Sequence, residues 1–234
     1  MSDHQAASAE SAKGAKRAAR LLQIDGLRAL AALSVVAFHY TTRFDGLFLH
    51  TADLPISAPS GFLGVNLFFG ISGFVIFMTI DKISRHSEFV VSRFARLYPA
   101  YWAAVFVTWA LVTLMGLPGY SVTLWQAIAN LAMFHTYFGV PDVDGVYWSL
   151  QVELLFYIWM LVLWTIGALR RAEISIAIWV AIALGASIVD RQFAIHVPWA
   201  VEEFLLLEWI PWFALGMICY ASARNSRWTA PVGG

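Results

Sequence analysis

Six apolar stretches, each near the ~20 residues that carry an α-helix across a bilayer, recur along this chain of 234 residues and decide what it can become. They lie at 21–40, 62–80, 97–117, 148–169, 174–189 and 204–221, with a shorter, ambiguous one at 124–138. Too little polar sequence remains for a water-facing shell. Hydrophobic residues make up 60% and charged residues 13%, with a mean hydropathy of +0.68, which excludes an ordinary soluble enzyme. Eleven Trp and seventeen Phe suit a chain whose solvent is lipid, since aromatic rings gather at membrane interfaces. Fifteen Lys and Arg balance fifteen Asp and Glu, so there is no basic excess to hold nucleic acid. The single Cys219 excludes a disulfide framework and a Cys-rich metal site.

Residues 1–20 are rich in Ala, Ser, Lys and Arg without apolar periodicity, and read as a disordered cytoplasmic tail. A basic start before an apolar run is also the pattern of a secretory signal. Here the run is too long and no small-residue cleavage site follows, so it is expected to remain as a membrane helix. Lys and Arg accumulate at the cytoplasmic ends of spans, which decides the role of 124–138. If that segment dips in and returns, the tail, Lys82, Arg85, Arg93, Arg96, Arg170, Arg171, Arg224 and Arg227 all lie inside, and only Arg43 and Arg191 lie outside. If it crosses, the bias largely disappears. The sequence therefore predicts an all-α polytopic transmembrane helix bundle of about six spans plus one short re-entrant or seventh segment, with the N-terminus cytoplasmic. The membrane domain is expected over 21–223 and a short polar tail over 224–234.

Ionisable groups inside spans are costly, roughly 2.5–3.5 kcal/mol each on insertion scales, and are functional candidates by default. On the first stretch Asp25, Arg28 and His39 are the ionisable side chains, and Arg28 and His39 are eleven residues apart, three turns plus about 20°. They share a face, with the arginine near the inner leaflet and the histidine about 16 Å further out. An interfacial Asp–Arg pair and a histidine bonded to a neighbouring helix would also account for them. Ser149, Glu153 and Tyr157 repeat every four residues and stack on one helical face. In the chosen topology Glu153 lies about 7 Å below the outer boundary, the depth of His39. A carboxylate there could orient the imidazole and raise its basicity, the arrangement of a general base, or could simply bond Ser and Tyr neighbours. Glu208 is a secondary candidate at similar depth.

Arg93 and Arg96, one turn apart at the inner interface, offer planar forks suited to phosphate oxygens, which lipid headgroups would also satisfy. Gly61, Gly64, Gly70 and Gly73 allow close helix approach, with Asn66 and Ser72 as hydrogen-bonding groups among them. His4, His50, His86 and His196 read as solvated, and His135 as structural. No Walker loop, dinucleotide fingerprint, HExxH helix or GxSxG elbow is present, and no metal is implied.

Together these motifs resemble the acyltransferase-3 family, integral membrane acyltransferases that modify O-antigens, exopolysaccharides and related glycans. Ile24-Asp25-Gly26-Leu27-Arg28 with His39 is similar to the family's Arg-x10-His signature. Phe68-Phe69 through Ser72-Gly73-Phe74, Arg93-x-x-Arg96-x-x-Pro99 and Trp148-Ser149-Leu150-x-Val152-Glu153 are similar to three further family motifs, in family order over about 21–220. Asn66 stands where the family usually has Asp, and Leu154 and Leu155 replace a common Glu-Gln pair. The family's usual complement of spans is larger, so C-terminal spans are expected to be missing.

The resemblance implies an enzyme of the bacterial inner membrane that moves an acyl group, most commonly acetyl, from cytoplasmic acyl-CoA to a hydroxyl of an extracytoplasmic carbohydrate or lipid-linked sugar. It implies catalytic roles for His39, Arg28 and Glu153, donor binding by Arg93 and Arg96, and substrate positioning by Ser72, Trp148 and Ser149. Acyl-CoA is then a co-substrate, with no permanently bound cofactor. The rival readings are a transporter or flippase whose buried ions line a path, and a non-catalytic membrane subunit.

Overall fold

The computed structural model describes residues 22–44, 57–116 and 121–228, with side chains to residue 224. The expected tail at 1–20 lies outside the described residues, as do 229–234. Among the described residues the chain is mostly helical, with no strand. It divides into two compact units, one up to Ile71 and one from Ser72.

The first unit holds helix α1 (Leu22–Arg43), a 3-10 turn at Pro59–Phe62 and the start of α2 (Leu63–Ile80). The last turn of α1 widens into a π-helix at His39–Arg43. Pro59 opens the 3-10 turn, where a missing N–H and a fixed φ are tolerated. The two helices meet at small residues. A Cβ added to Gly61 would lie 2.2 Å from the Ser34 carbonyl oxygen, and one on Gly64 2.4 Å from Ser34 Oγ and 2.5 Å from the Ala31 carbonyl oxygen. Backbone approach of this kind drives helix association in lipid, where burying a leucine gains little because the tails outside are equally apolar. The Ala58 N–H donates to Thr41 Oγ1 at 3.2 Å and Thr42 Oγ1 at 3.0 Å, tying the incoming chain to the π turn.

The second unit runs from the second half of α2 through α3 (His86–Met115), α4 (Leu124–Asn130), α5 (Trp148–Thr165), α6 (Ala172–Phe193), α7 (Trp199–Phe204) and α8 (Ile210–Trp228). Its core includes Val152, Phe156 and Met160 of α5 together with Leu206, Ile210, Phe213 and Met217, all essentially inaccessible. Phe156 stacks on Phe213 with ring centroids 4.0 Å apart. A Cβ on Gly73 would sit 2.0 Å from the Phe213 carbonyl oxygen, so α2 crosses α8 at backbone contact.

Among the described residues, five helices are long and apolar enough to cross a membrane: Leu22–Arg43, Pro59–Ile80, His86–Met115, Gly145–Thr165 and Ala168–Phe193. The sixth expected span differs. The apolar run at 204–221 is broken by turns at 205–209, and α8 begins at Ile210 with Pro211 in its first turn, a position that proline favours. Glu208 therefore lies in the turn before the helix, exposed, rather than a turn inside a span. α8 also runs on to Trp228, so the polar tail expected from 224 starts inside a helix.

The segment at 124–138 does not cross. α4 has 7 residues, about 10 Å of helix, and its end is held by Tyr101 Oη donating to the Asn130 carbonyl at 2.7 Å and Trp102 Nε1 donating to the Leu131 carbonyl at 3.1 Å. It reaches the middle of α3 and turns back. Its consequence is seen at the opposite ends of the helices. Asp81, just after α2, accepts from Tyr220 Oη at 2.9 Å and pairs with Arg224 at 2.8 Å. Beside them the His86 ring lies 4.1 Å from that of Trp164, near the end of α5. Lys82, Arg85, Arg170 and Arg224 thus belong to one end of this unit, the grouping that the basic-residue pattern requires.

Candidate active site

In the first unit His39 is the first residue of the π turn, and its Nδ1 lies 2.8 Å from the Val35 carbonyl oxygen. A carbonyl can only accept, so Nδ1 carries the proton and Nε2 of the neutral ring presents its lone pair. The tie that fixes the tautomer is therefore a backbone group one turn earlier on the same helix. The ring is half-buried, edge-on to Phe38 at 5.3 Å. π turns are rare and collect at functional positions. Arg28 lies 3.9 Å from Asp25 one turn earlier, an i, i+3 pair in which the aspartate is largely exposed.

In the second unit the centre is Glu153. Ser72 Oγ donates to its Oε1 at 2.9 Å, and Tyr157 Oη makes a short hydrogen bond to the same oxygen. Oε2 has no hydrogen-bond partner among the described residues, and the side chain is only partly buried, so one carboxylate oxygen is fixed and the other is open to a donor. The Tyr157 ring in turn carries Arg93, whose guanidinium carbon lies 5.8 Å from its centroid and 5.8 Å from that of Phe89. Arg93 donates to Ser92 Oγ from Nε at 3.2 Å and from Nη2 at 3.0 Å, and no carboxylate lies within ion-pair distance of it among the described residues. The sequence places Arg93 at the inner interface. The structure brings it level with the middle of α5, because α3 starts at His86 and carries Arg93 about 10 Å along its axis. One phenol ring thus separates the arginine from Glu153. Beside them a cavity of 230 Å³ is walled by Phe89, Arg93, Phe94, Leu154, Tyr157 and Ile158 among others.

The remaining candidates have local partners. Arg96 is exposed. Ser149 Oγ donates to the Val146 carbonyl at 3.2 Å rather than joining Glu153, and Trp148 packs on Trp209 at 4.8 Å. The i, i+4 spacing that put Glu153 and Tyr157 on one face left open that the carboxylate bonds Ser and Tyr neighbours, and Tyr157 is such a neighbour; Ser72, 81 positions away, was missed as its second donor. Sequence reasoning also missed a separate polar cluster. His135 Nε2 bonds Asp142 Oδ1 at 2.8 Å; Thr136 Oγ1 donates to Gln151 Oε1 at 3.0 Å; Gln151 Nε2 donates to Glu203 Oε1 at 3.1 Å. Burial holds the Glu203 carboxyl above the ordinary carboxylate range, with the Asp142 charge adding to the effect. No group of three metal-ligating side chains occurs among the described residues.

Membrane-length helices define a polytopic membrane protein, and its polar groups include a tautomer-fixed imidazole on one helix and a hydroxyl-held carboxylate on another. The sequence profile of the acyltransferase-3 family, an acyltransferase domain, matches residues 21–232, and the chain belongs to that family. It is 30% identical over 153 residues to the peptidoglycan O-acetyltransferase OatA of Listeria monocytogenes, covering 58% of this chain and 22% of that protein. It is 35% identical over 162 residues to nodulation protein 10 of Rhizobium leguminosarum, covering 61% and 42%. With the acyltransferase MdmB of Streptomyces mycarofaciens the identity is 26% over 235 residues, covering 90% and 59%. The chain thus spans less than two thirds of the length of each of these relatives. No solved structure matches it.

Proposed function

We propose that this chain transfers an acyl group, acetyl in the simplest case, from cytoplasmic acyl-CoA to a hydroxyl of an extracytoplasmic carbohydrate or glycolipid. The observation that carries the reading is the state of His39: with Nδ1 committed to the Val35 carbonyl, Nε2 is the nitrogen left for chemistry. In one route Nε2 attacks the thioester carbonyl, the C–S bond breaks to release the CoA thiolate, and the acyl-imidazole then passes its acyl group to the acceptor oxygen. In the other, Nε2 takes the acceptor's proton as its oxygen attacks the thioester directly. In both, the proton of the acceptor hydroxyl leaves for a base and the thiolate is protonated. Arg93 and Arg96 supply guanidinium forks for the donor's phosphates, and Arg28 a further cation. Glu153, with Oε2 open, is the second acid–base group.

Membranes carrying this chain, incubated with radiolabelled acetyl-CoA and a panel of glycan acceptors, test the reading. Label is expected to appear on the glycan and to be lost in His39→Ala. Glycan labelling retained in that variant overturns the role of His39, and no labelling by the parent chain overturns the acyltransferase reading in favour of a transporter or non-catalytic subunit. A double-mutant cycle of His39→Ala with Glu153→Gln measures their coupling. Losses that multiply independently would mean that the two groups act in separate steps.

A further inference from the structure

Tyr157 touches both chemical elements of the second unit and has no assigned role. Its hydroxyl ends on Glu153 Oε1 and its ring face meets the Arg93 guanidinium, 5.8 Å from the centroid. The side chain is 5% exposed, so these contacts are made away from water, where a hydrogen bond to a carboxylate and a cation over a ring are worth more than at a surface. Arg93 is also held by the Phe89 ring at 5.8 Å, and its ion-pairing capacity is unspent. Ser72 shares Oε1 with the phenol, so that oxygen is immobilised from two helices and the carboxylate plane is set. A tyrosine that only filled space would need neither contact. The adjoining 230 Å³ cavity has Arg93 in its wall, so a ligand entering it reaches the guanidinium that the Tyr157 ring seats.

We propose that Tyr157 is a positioning residue of the transfer reaction: its phenol aims the Glu153 carboxylate, and its ring seats the Arg93 guanidinium that receives the anionic end of the acyl donor. The proposal rests on the acyltransferase reading above and deepens it. The phenol itself touches neither donor nor acceptor. It acts through two other side chains, and the two halves of its structure act separately.

That separability supplies the test. In membranes carrying the chain, kcat and the donor KM are measured with labelled acetyl-CoA for the parent, Tyr157→Phe and Tyr157→Leu. Tyr157→Phe keeps the ring and loses the hydroxyl, so kcat is expected to fall about 10- to 100-fold, the range for a hydrogen bond to a charged group, with donor KM within twofold. Tyr157→Leu loses both, so donor KM is expected to rise about fivefold or more in addition. Should Tyr157→Phe fail to accumulate in the membrane, a fluorinated tyrosine at 157 preserves the shape and makes the hydroxyl a stronger donor. It is then expected to change kcat while leaving KM alone. Variants whose kcat and KM match the parent, or whose activity falls only in proportion to the amount of folded protein, overturn the proposal while leaving the acyltransferase reading intact. A parent chain that transfers no label from acetyl-CoA overturns both.

Discussion

His39 and His135 are each held by one ring nitrogen, and the partners that hold them differ. His39 gives Nδ1 to a backbone carbonyl one turn earlier, in a π turn, and its ring stays partly accessible. His135 gives Nε2 to the Asp142 carboxylate, is 3% exposed, and its Nδ1 meets no hydrogen-bond partner among the described residues. A neutral carbonyl fixes a tautomer without lending charge, which leaves the far nitrogen of the neutral ring with its lone pair unspent. A buried imidazole paired with a partly buried carboxylate ties a loop, here the stretch between α4 and α5. The lesson is that an imidazole's second nitrogen, and whether anything can reach it, separates the two uses better than its depth in the membrane.

That contrast can be broken at several points. The largest effect is expected from His39→Ala, a loss of acyl transfer of about 10²- to 10⁴-fold with the protein still present in the membrane, measured by labelled transfer per folded molecule. His135→Ala is expected to do the reverse. It would lower stability by about 1–3 kcal/mol, because the partly buried Asp142 loses its partner, while activity per folded molecule stays within about twofold. Thermal melts in detergent beside the transfer assay check both halves, and a His135 variant that is fully stable but inactive would erase the distinction. Asp142→Asn retains an oxygen acceptor toward Nε2, so its cost should stay under about 1 kcal/mol.

The smallest effect concerns pH. Glu203 titrates above the ordinary carboxylate range in the fold, chiefly from burial, so the folded state holds its proton more tightly than the unfolded state does. Stability from this group is present at low pH and declines as pH climbs from the ordinary carboxylate value through the raised folded one. Glu203→Gln keeps an oxygen for Gln151 Nε2 and cannot ionise. Melts across that window are expected to flatten, with a melting temperature at neutral pH equal to or slightly above the parent's.

Much of the architecture was legible because lipid demands unbroken apolar helices of a set length, and a run such as Phe62 to Ile80 has few other folds open to it. The last run misled for a local reason. Its hydropathy is continuous through Leu205, Leu206 and Leu207, but Pro211 favours a first helical turn, so the helix starts there and the leucines close a turn beneath it. The catalytic candidates on α1 and α5 could be found from spacing within one helix. The donor that Ser72 gives to Glu153 could not, since helical periodicity carries no information about which helices become neighbours. Nor did spacing reveal that Arg93 lies level with the middle of α5: counting spans from hydropathy trims charged turns off a helix, and here α3 extends eleven residues before the apolar run at Leu97.

The widened turn at His39–Arg43 amounts to a phase shift in the rod. Across it the side chains drift, by up to about one residue's rotation of 100°, from where an unbroken α-helix would carry them. Removing a single threonine from the pair at 41 and 42 would therefore re-index Arg43 while sparing the residues before the turn. Such an indel re-aims a side chain in a way that no point substitution within the turn can imitate.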